Sequence, residues 1–324
     1  MPELPEVETT TNGLRSAIVG LTIKDVWTDL ATSDKRQKEA ISNPKYFPSF
    51  KKEVVNKKVL SVERRAKNIL INLSGGKTIL VHLKMTGHLL YGKYIFREKT
   101  KTQKAVWLPD EDGPLHDPFN KFLHVVFTLN NKKYLAFSDM RKFGKITLLD
   151  TKTAHDTKHL RDIGPEPLEK VFTLEKFTER LHKKPRGKIK TVLMDQSVIA
   201  GIGNIYSDEI LWRAGVHPER IVSKIKPDEL QLMFTAMKET LVKGIDFGGD
   251  SMSDYRNIQG LPGKFQLHHE AYRRTGQKCR MSRVLLRGRR SQVLSRGRKP
   301  DCKGVIKRKV INGRSAHFCS VHQK

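Results

Sequence analysis

Cysteine is scarce in this chain: three residues among 324, at positions 279, 302 and 319. A disulfide framework needs more sulfur than that. Their confinement to the C-terminal sixth points instead to a metal site in a reducing compartment. Long apolar runs are missing too. No stretch approaches the ~20 residues that a membrane span requires, and no charged-then-apolar leader opens the chain. These absences predict a cytoplasmic protein with no membrane partner. Acid is the third shortage, 34 Asp+Glu against 62 Lys+Arg, leaving a formal charge of +28. A surplus of that size calls for a polyanionic partner, nucleic acid ahead of membrane. Seventeen Lys+Arg and a single acid, Asp301, fall within 271–324. The run from Arg283 to Lys299 has the composition of a disordered, phosphate-binding arm.

The chain begins Met1-Pro2-Glu3-Leu4-Pro5-Glu6-Val7-Glu8. If Met1 is cleaved, as a small second residue permits, Pro2 becomes a terminal secondary amine. Such an amine can attack a sugar aldehyde carbon and form an iminium, as lysine does in Schiff-base enzymes. Pro5 suits the first turn of a helix, where its missing N–H costs nothing. Leu4, Val7, Leu14 and Ile18 make the apolar stripe that would bury that helix. A capped surface helix with ordinary start residues is the alternative reading.

From Leu21 to about Asp150 the chain reads as short strands, among them Val54-Val55, Asn68–Leu73, Thr78–Leu83 and His124–Leu129. Gly75-Gly76 and Asn130-Asn131 fall between them as hairpin turns. Residues 92–121, with Pro109, Pro114 and Pro118, read as a long loop insertion. Asp162-Ile-Gly-Pro-Glu-Pro-Leu168 is a proline-stiffened link. Beyond it, 174–184, 188–200, 204–214 and 227–244 have helical patterns. The expected fold class is α+β: a helix-capped antiparallel β-sandwich, then a helical domain and a C-terminal β-hairpin. The expected domains are 1–161, a linker at 162–170, a helical DNA-binding domain at 171–270, and a basic hairpin with an insertion at 271–324.

The opening MPELPEVETT resembles the start of the formamidopyrimidine-DNA glycosylases, whose N-terminal proline is the nucleophile. Similar anchors recur along almost the whole chain. Leu4 resembles the oxidised-purine branch; the endonuclease VIII branch usually has glycine there. The resemblance implies that Pro2 attacks C1′ of a flipped nucleotide, with Glu3 moving protons and Glu6 supporting the site. Within Arg64-Arg-Ala-Lys-Asn68, Lys67 matches a phosphate-contacting lysine; a solvated strand-edge lysine is the plainer reading.

His82-Leu-Lys-Met-Thr-Gly87 and Asp139-Met-Arg-Lys-Phe-Gly144 resemble the two wedge loops, giving Met85, Arg141 and Phe143. A base can be flipped out only if something refills the stack. Apolar side chains can insert at a kinked step, and arginine can hydrogen-bond the abandoned base. In isolation Met85 and Phe143 could equally be core residues. Lys84 and Met140 depart from the family's glycine and proline.

Met194–Glu209 resembles the superfamily's helix–two-turns–helix. Gly201 and Gly203 allow close backbone approach, and Asn204 opens a helix whose N–H groups suit an anion. Lys190, in the lead-in, is expected at a phosphate or lesion. Phe247–Asn257 matches the damaged-base loop, which places Tyr255 among the DNA-binding residues.

The family's zinc finger has the spacing C-x2-C-x16-C-x2-C. Cys302 and Cys319 keep the x16 interval, and His322 stands where the fourth cysteine would be. Tyr272–Lys278 resembles the lead-in to the first ligand, Cys279. The resemblance therefore implies one Zn2+ held by Cys279, Cys302, Cys319 and His322, with about twenty basic residues inserted between the first two. A metal-free finger held by packing is the alternative. Arg314 matches the hairpin-tip arginine.

The expected function is a bifunctional DNA glycosylase and AP lyase, a monomer acting on duplex DNA with oxidised purines or abasic sites. An endonuclease VIII-like enzyme for oxidised pyrimidines and a non-catalytic damaged-DNA-binding protein are the alternatives.

Overall fold

The computed structural model describes residues 1–30, 39–98, 105–252, 254–281 and 302–324. It divides into two compact units. The first comprises Met1–Asp162 with Gly244–Gln266, and the second Ile163–Lys243 with Leu267–Lys324. The expected 171–270 block is therefore not one unit: 244–266 joins the N-terminal part.

In the first unit, helix α1 (Leu4–Ile18) packs by Val7, Leu14 and Ile18 into a core shared by two antiparallel sheets. One sheet has the order β1-β8-β9-β5, from Ile23–Thr28, Leu123–Leu129, Tyr134–Ser138 and His88–Gly92. The other is β10-β4-β3-β2, from Lys145–Asp150, Lys77–His82, Asn68–Leu73 and Val59–Arg65. Phe127 and Phe137 from the first sheet meet Ile69, Ile71, Ile79 and Val81 from the second, which makes the expected sandwich.

Two local expectations need correction. Val54 closes helix α2 (Phe47–Val54) instead of opening a strand, because burying Phe50 and Val54 on one face outweighs their β preference. Residues 92–121 are not a structureless loop. Tyr94–Arg97 (β6) pairs with Val106–Pro109 (β7) as a hairpin, and Pro114 and Pro118 each open a 3-10 turn. Trp27, Phe96, Trp107 and Tyr134 hold the hairpin by edge and tilted ring contacts. Residues 99–104 lie outside the described ones.

The second unit contains α3 (Leu174–His182), α4 (Ile189–Leu193), α5 (Asn204–Ala214) and most of α6 (Pro227–Asp246). The helix expected over 188–200 stops at Leu193. Asp195 then turns the chain, its carboxylate accepting the N–H and hydroxyl of Ser197. Gln196 staples the second turn, donating to the Met194 and Ile202 carbonyls and accepting the Gly201 N–H at 2.9 Å. The link after Asp162 is no free spacer. Gly164 donates to Gln196 O, and a Cβ on Gly164 would lie 2.7 Å from the Val198 carbonyl oxygen. Strands β11 (Ile306–Ile311) and β12 (Arg314–Cys319) pair about the expected Asn312-Gly313 turn, both residues at positive φ.

Candidate active site and nucleic-acid interface

Glu3 caps α1 and is 2 % exposed, and Pro2 beside it is buried, joined through its nitrogen to the exposed Met1. Glu6 organises this end. One carboxylate oxygen accepts the Glu3 N–H at 2.7 Å and the other accepts the Asp250 N–H at 2.7 Å. The 247–257 loop is thereby tied to the start of α1 within the same unit. Gly249, at φ +85°, makes that approach possible: a Cβ there would sit 2.8 Å from Glu6 Cγ. Tyr255 was expected to touch DNA, and here the structure corrects the sequence reading. Its ring is buried, its hydroxyl donates to the Glu6 carbonyl at 3.0 Å, and burial pushes the phenol well up. Tyr255 braces the loop against α1. Lys67 lies, largely buried, in the β2–β3 turn, next to Ala66 at positive φ.

Met85 and Phe143 are 39 % and 49 % exposed, so neither is a core residue. Arg141 stacks its guanidinium on the Phe143 ring, 4.7 Å from the centroid. Behind Met85, the Lys84 N–H donates to His82 Nδ1 at 3.0 Å, which requires a neutral ring there. Desolvation, with Lys84 and Lys67 nearby, pushes His82 down to about 3.

In the second unit, Gly203 precedes α5 in extended conformation and Asn204 begins it, with Asn204 Nδ2 donating to Ser315 Oγ on β12 at 3.3 Å. Arg314, at the hairpin tip, is exposed. Lys190 departs from expectation. Its side chain is fully buried, with Nζ 2.6 Å from Asp208 Oδ1 and 3.0 Å from Ser207 Oγ. Asp208 Oδ2 in turn accepts the His317 N–H and faces His317 Nδ1, each at 2.9 Å. Lys190 thus joins α4 to α5 and β12 in place of presenting a cation to a phosphate. Glu209, which no motif singled out, accepts the N–H groups of Glu270, Ala271 and Tyr272 at 2.8–2.9 Å.

Cys279, Cys302, Cys319 and His322 come together, their ligand atoms all within 4.8 Å of one another. Cys302 Sγ lies 3.6 Å from Cys319 Sγ, and Cys279 Sγ lies 3.3 Å from His322 Nδ1. A zinc tetrahedron with Zn–S near 2.3 Å sets sulfurs about 3.8 Å apart, so the donor set fits. His322 Nε2–H donates to the Trp212 carbonyl at 3.0 Å, which aims Nδ1 at the sulfurs and fixes the tautomer that a metal needs. Burial pushes the Cys279 thiol up to about 12. Residues 282–301, the expected basic arm, lie outside the described ones. Among the described residues, no helix is long and apolar enough to cross a membrane.

A helix-capped sandwich, a helix–two-turns–helix and a Cys3His hairpin define a class of DNA-repair protein. The formamidopyrimidine-DNA glycosylase N-terminal domain model matches residues 1–146, and the H2TH domain model of the same glycosylases matches 163–256. The formamidopyrimidine-DNA glycosylase of Pelotomaculum thermopropionicum is 35% identical over 324 residues, spanning 100% of this chain and 99% of that protein. Two solved Lactococcus lactis Fpg structures, one a complex with an abasic site containing DNA, the other with an N7-benzyl-Fapy-dG containing DNA, each superpose with a TM-score of 0.76 at 29% identity. The former covers 99% of each chain and the latter 100%. The chain belongs to the formamidopyrimidine-DNA glycosylase family, and so to the DNA glycosylases that are also AP lyases.

Proposed function

We propose that this chain excises oxidised purines, 8-oxoguanine and formamidopyrimidines, from duplex DNA and then cleaves the strand, with Pro2 as nucleophile. The observation that carries the residue assignment is the buried pairing of Pro2 with Glu3 at the tip of a helix that Glu6 anchors. Removal of Met1 frees the Pro2 secondary amine. Its lone pair bonds to C1′ of the flipped nucleotide as the base departs with the glycosidic electrons. Glu3 takes the proton from the attached nitrogen and passes it to O4′, the sugar ring opens, and an iminium remains. Loss of a C2′ proton then expels the 3′-phosphate. Glu3 is buried beside the chain terminus, which keeps bulk water from its carboxyl.

Lys67, in the first unit, is assigned to a backbone phosphate, and Met85, Arg141 and Phe143 to the vacated stack. In the second unit, Asn204 at the α5 N-terminus and Arg314 at the hairpin tip are assigned to DNA. Cys279, Cys302, Cys319 and His322 would hold one structural zinc, which would fix the hairpin covalently to its flanks; a reducing compartment keeps those thiols available to it. Borohydride trapping tests the nucleophile. A chain lacking Met1 should link covalently to duplex containing an oxidised purine, and one verified to retain Met1 should not. Equal trapping of both would remove Pro2 from the mechanism.

A further inference from the structure

The two exposed tips assigned to base insertion hang from one buried carboxylate. Asp139 follows β9 directly and has no exposed surface. Inside its own turn, Oδ2 accepts the Gly144 N–H at 2.7 Å and Oδ1 accepts the Arg141 N–H at 3.3 Å. Oδ1 also accepts the hydroxyl of Thr86, the residue after Met85 in the other turn. The Thr86 oxygen accepts the Arg141 N–H at 3.1 Å, so the link runs both ways.

The turns are built alike. Each carries a lysine in the left-handed region, Lys84 at φ 56° and Lys142 at φ 55°. Each ends in a glycine pressed on the Phe137 ring: a Cβ would lie 2.7 Å from Phe137 Cζ at Gly87 and 2.2 Å at Gly144. Two strained turns therefore straddle one ring and share one carboxylate, and in those turns Met85 and Phe143 stay exposed. Independent surface turns would need neither the shared acceptor nor the shared ring. A buried carboxylate bound by three donors is strongly held in place, and moving one turn would strip its acceptor from the other.

We infer that Asp139 is a positioning residue that makes the two turns a single wedge, so that Met85 and Phe143 enter a base stack together. The inference rests on the wedge assignment above and adds their coupling. The assay is fluorescence of a 2-aminopurine beside an uncleavable tetrahydrofuran site in duplex DNA. It is run on Met85→Ala, Phe143→Ala and the double variant, each in wild-type, Thr86→Val and Thr86→Ser backgrounds. Thermal melting of every variant runs alongside.

In the wild-type background each single variant should lose most of the unstacking signal, and the double should be little worse than either, a coupling of roughly fivefold or more. Thr86→Val, which removes only the cross-turn hydroxyl, should bring that coupling to about one, and Thr86→Ser should restore it. Asp139→Asn, which keeps one acceptor oxygen, serves as the second uncoupling background if Thr86→Val melts early. Single variants that leave the signal unchanged would sink the wedge assignment itself. Singles that act but multiply independently in the wild-type background, or coupling that survives both Thr86→Val and Asp139→Asn, would overturn the shared latch and spare the wedge.

Discussion

Replacing Lys190 by methionine separates two roles that the sequence could not tell apart. A lysine that touches DNA should cost binding and leave the fold alone. The structure puts its ammonium 2.6 Å from Asp208 Oδ1, with both side chains fully buried. Methionine fills the aliphatic volume and leaves Asp208 with only the His317 donors on its other oxygen. Breaking a buried pair from one side costs about 3–5 kcal/mol, because a desolvated charge is left uncompensated. For a unit of this size, each kcal/mol moves Tm by roughly 3 °C, so the second unit should melt about 10–15 °C lower. Calorimetry reads that shift. Lys190→Met/Asp208→Leu should regain part of it, since an apolar pair of similar volume is often neutral. The companion measurement is the salt dependence of duplex binding at a temperature where the variant is folded, and its slope should match wild type. A Lys190→Met protein that melts with wild type while its salt slope drops by about one phosphate's worth would refute the buried-pair account.

Three further outcomes follow from the geometry. Glu3→Gln should bind lesion duplex within about twofold of wild type while losing base excision at least a hundredfold; gel-shift and single-turnover excision measure the two, and parallel losses would make Glu3 structural. Cys279→Ser should abolish stoichiometric zinc on metal analysis of the purified protein, and His322→Cys should retain it; unchanged zinc in Cys279→Ser would defeat the four-ligand site. His82 titrates at about 3 in the fold against an ordinary 6.5, so below pH 6.5 the unfolded chain takes up a proton that the folded chain does not. Its contribution to stability is complete above pH 6.5 and is lost as pH falls from there toward 3. Urea unfolding across that window should have a shallower pH slope in His82→Gln, and an identical slope would contradict the burial of a neutral ring.

Much of the fold was legible because its signals are local. The α1 start carries its own proline and carboxylates, the strand runs are β-branched, and Asn312-Gly313 dictates its turn. The Cys3His set was placed by its resemblance to the family's finger, and the four side chains do meet. Other features were invisible for a physical reason: they depend on partners distant in sequence. Nothing in Phe247–Asn257 announces that its backbone closes on Glu6, more than two hundred residues earlier. Tyr255 reads as a loop aromatic until its hydroxyl is found on the Glu6 carbonyl. Asp139, Asp208 and Glu209 are single acids, and what distinguishes them is burial against donors from other elements. The β6–β7 hairpin was missed because three prolines and a charged stretch outweighed short runs such as Tyr94-Ile95-Phe96, whose stability comes from rings elsewhere in the unit.

Helix α5 brings residues 204, 208, 209 and 212 against the C-terminal hairpin or the chain on either side of it. This bears on modularity. Many small zinc-binding modules survive excision because their metal and core lie within one short segment. Here a two-stranded hairpin, marginal by itself, borrows a carboxylate, an amide and a backbone carbonyl from a helix nearly a hundred residues upstream. The hairpin and α5 should accordingly open as one cooperative block, with amides of β11–β12 sharing the exchange protection of α5. A peptide cut at residue 271 would carry Cys279, Cys302, Cys319 and His322 and still lack the scaffold that orders the strands around them.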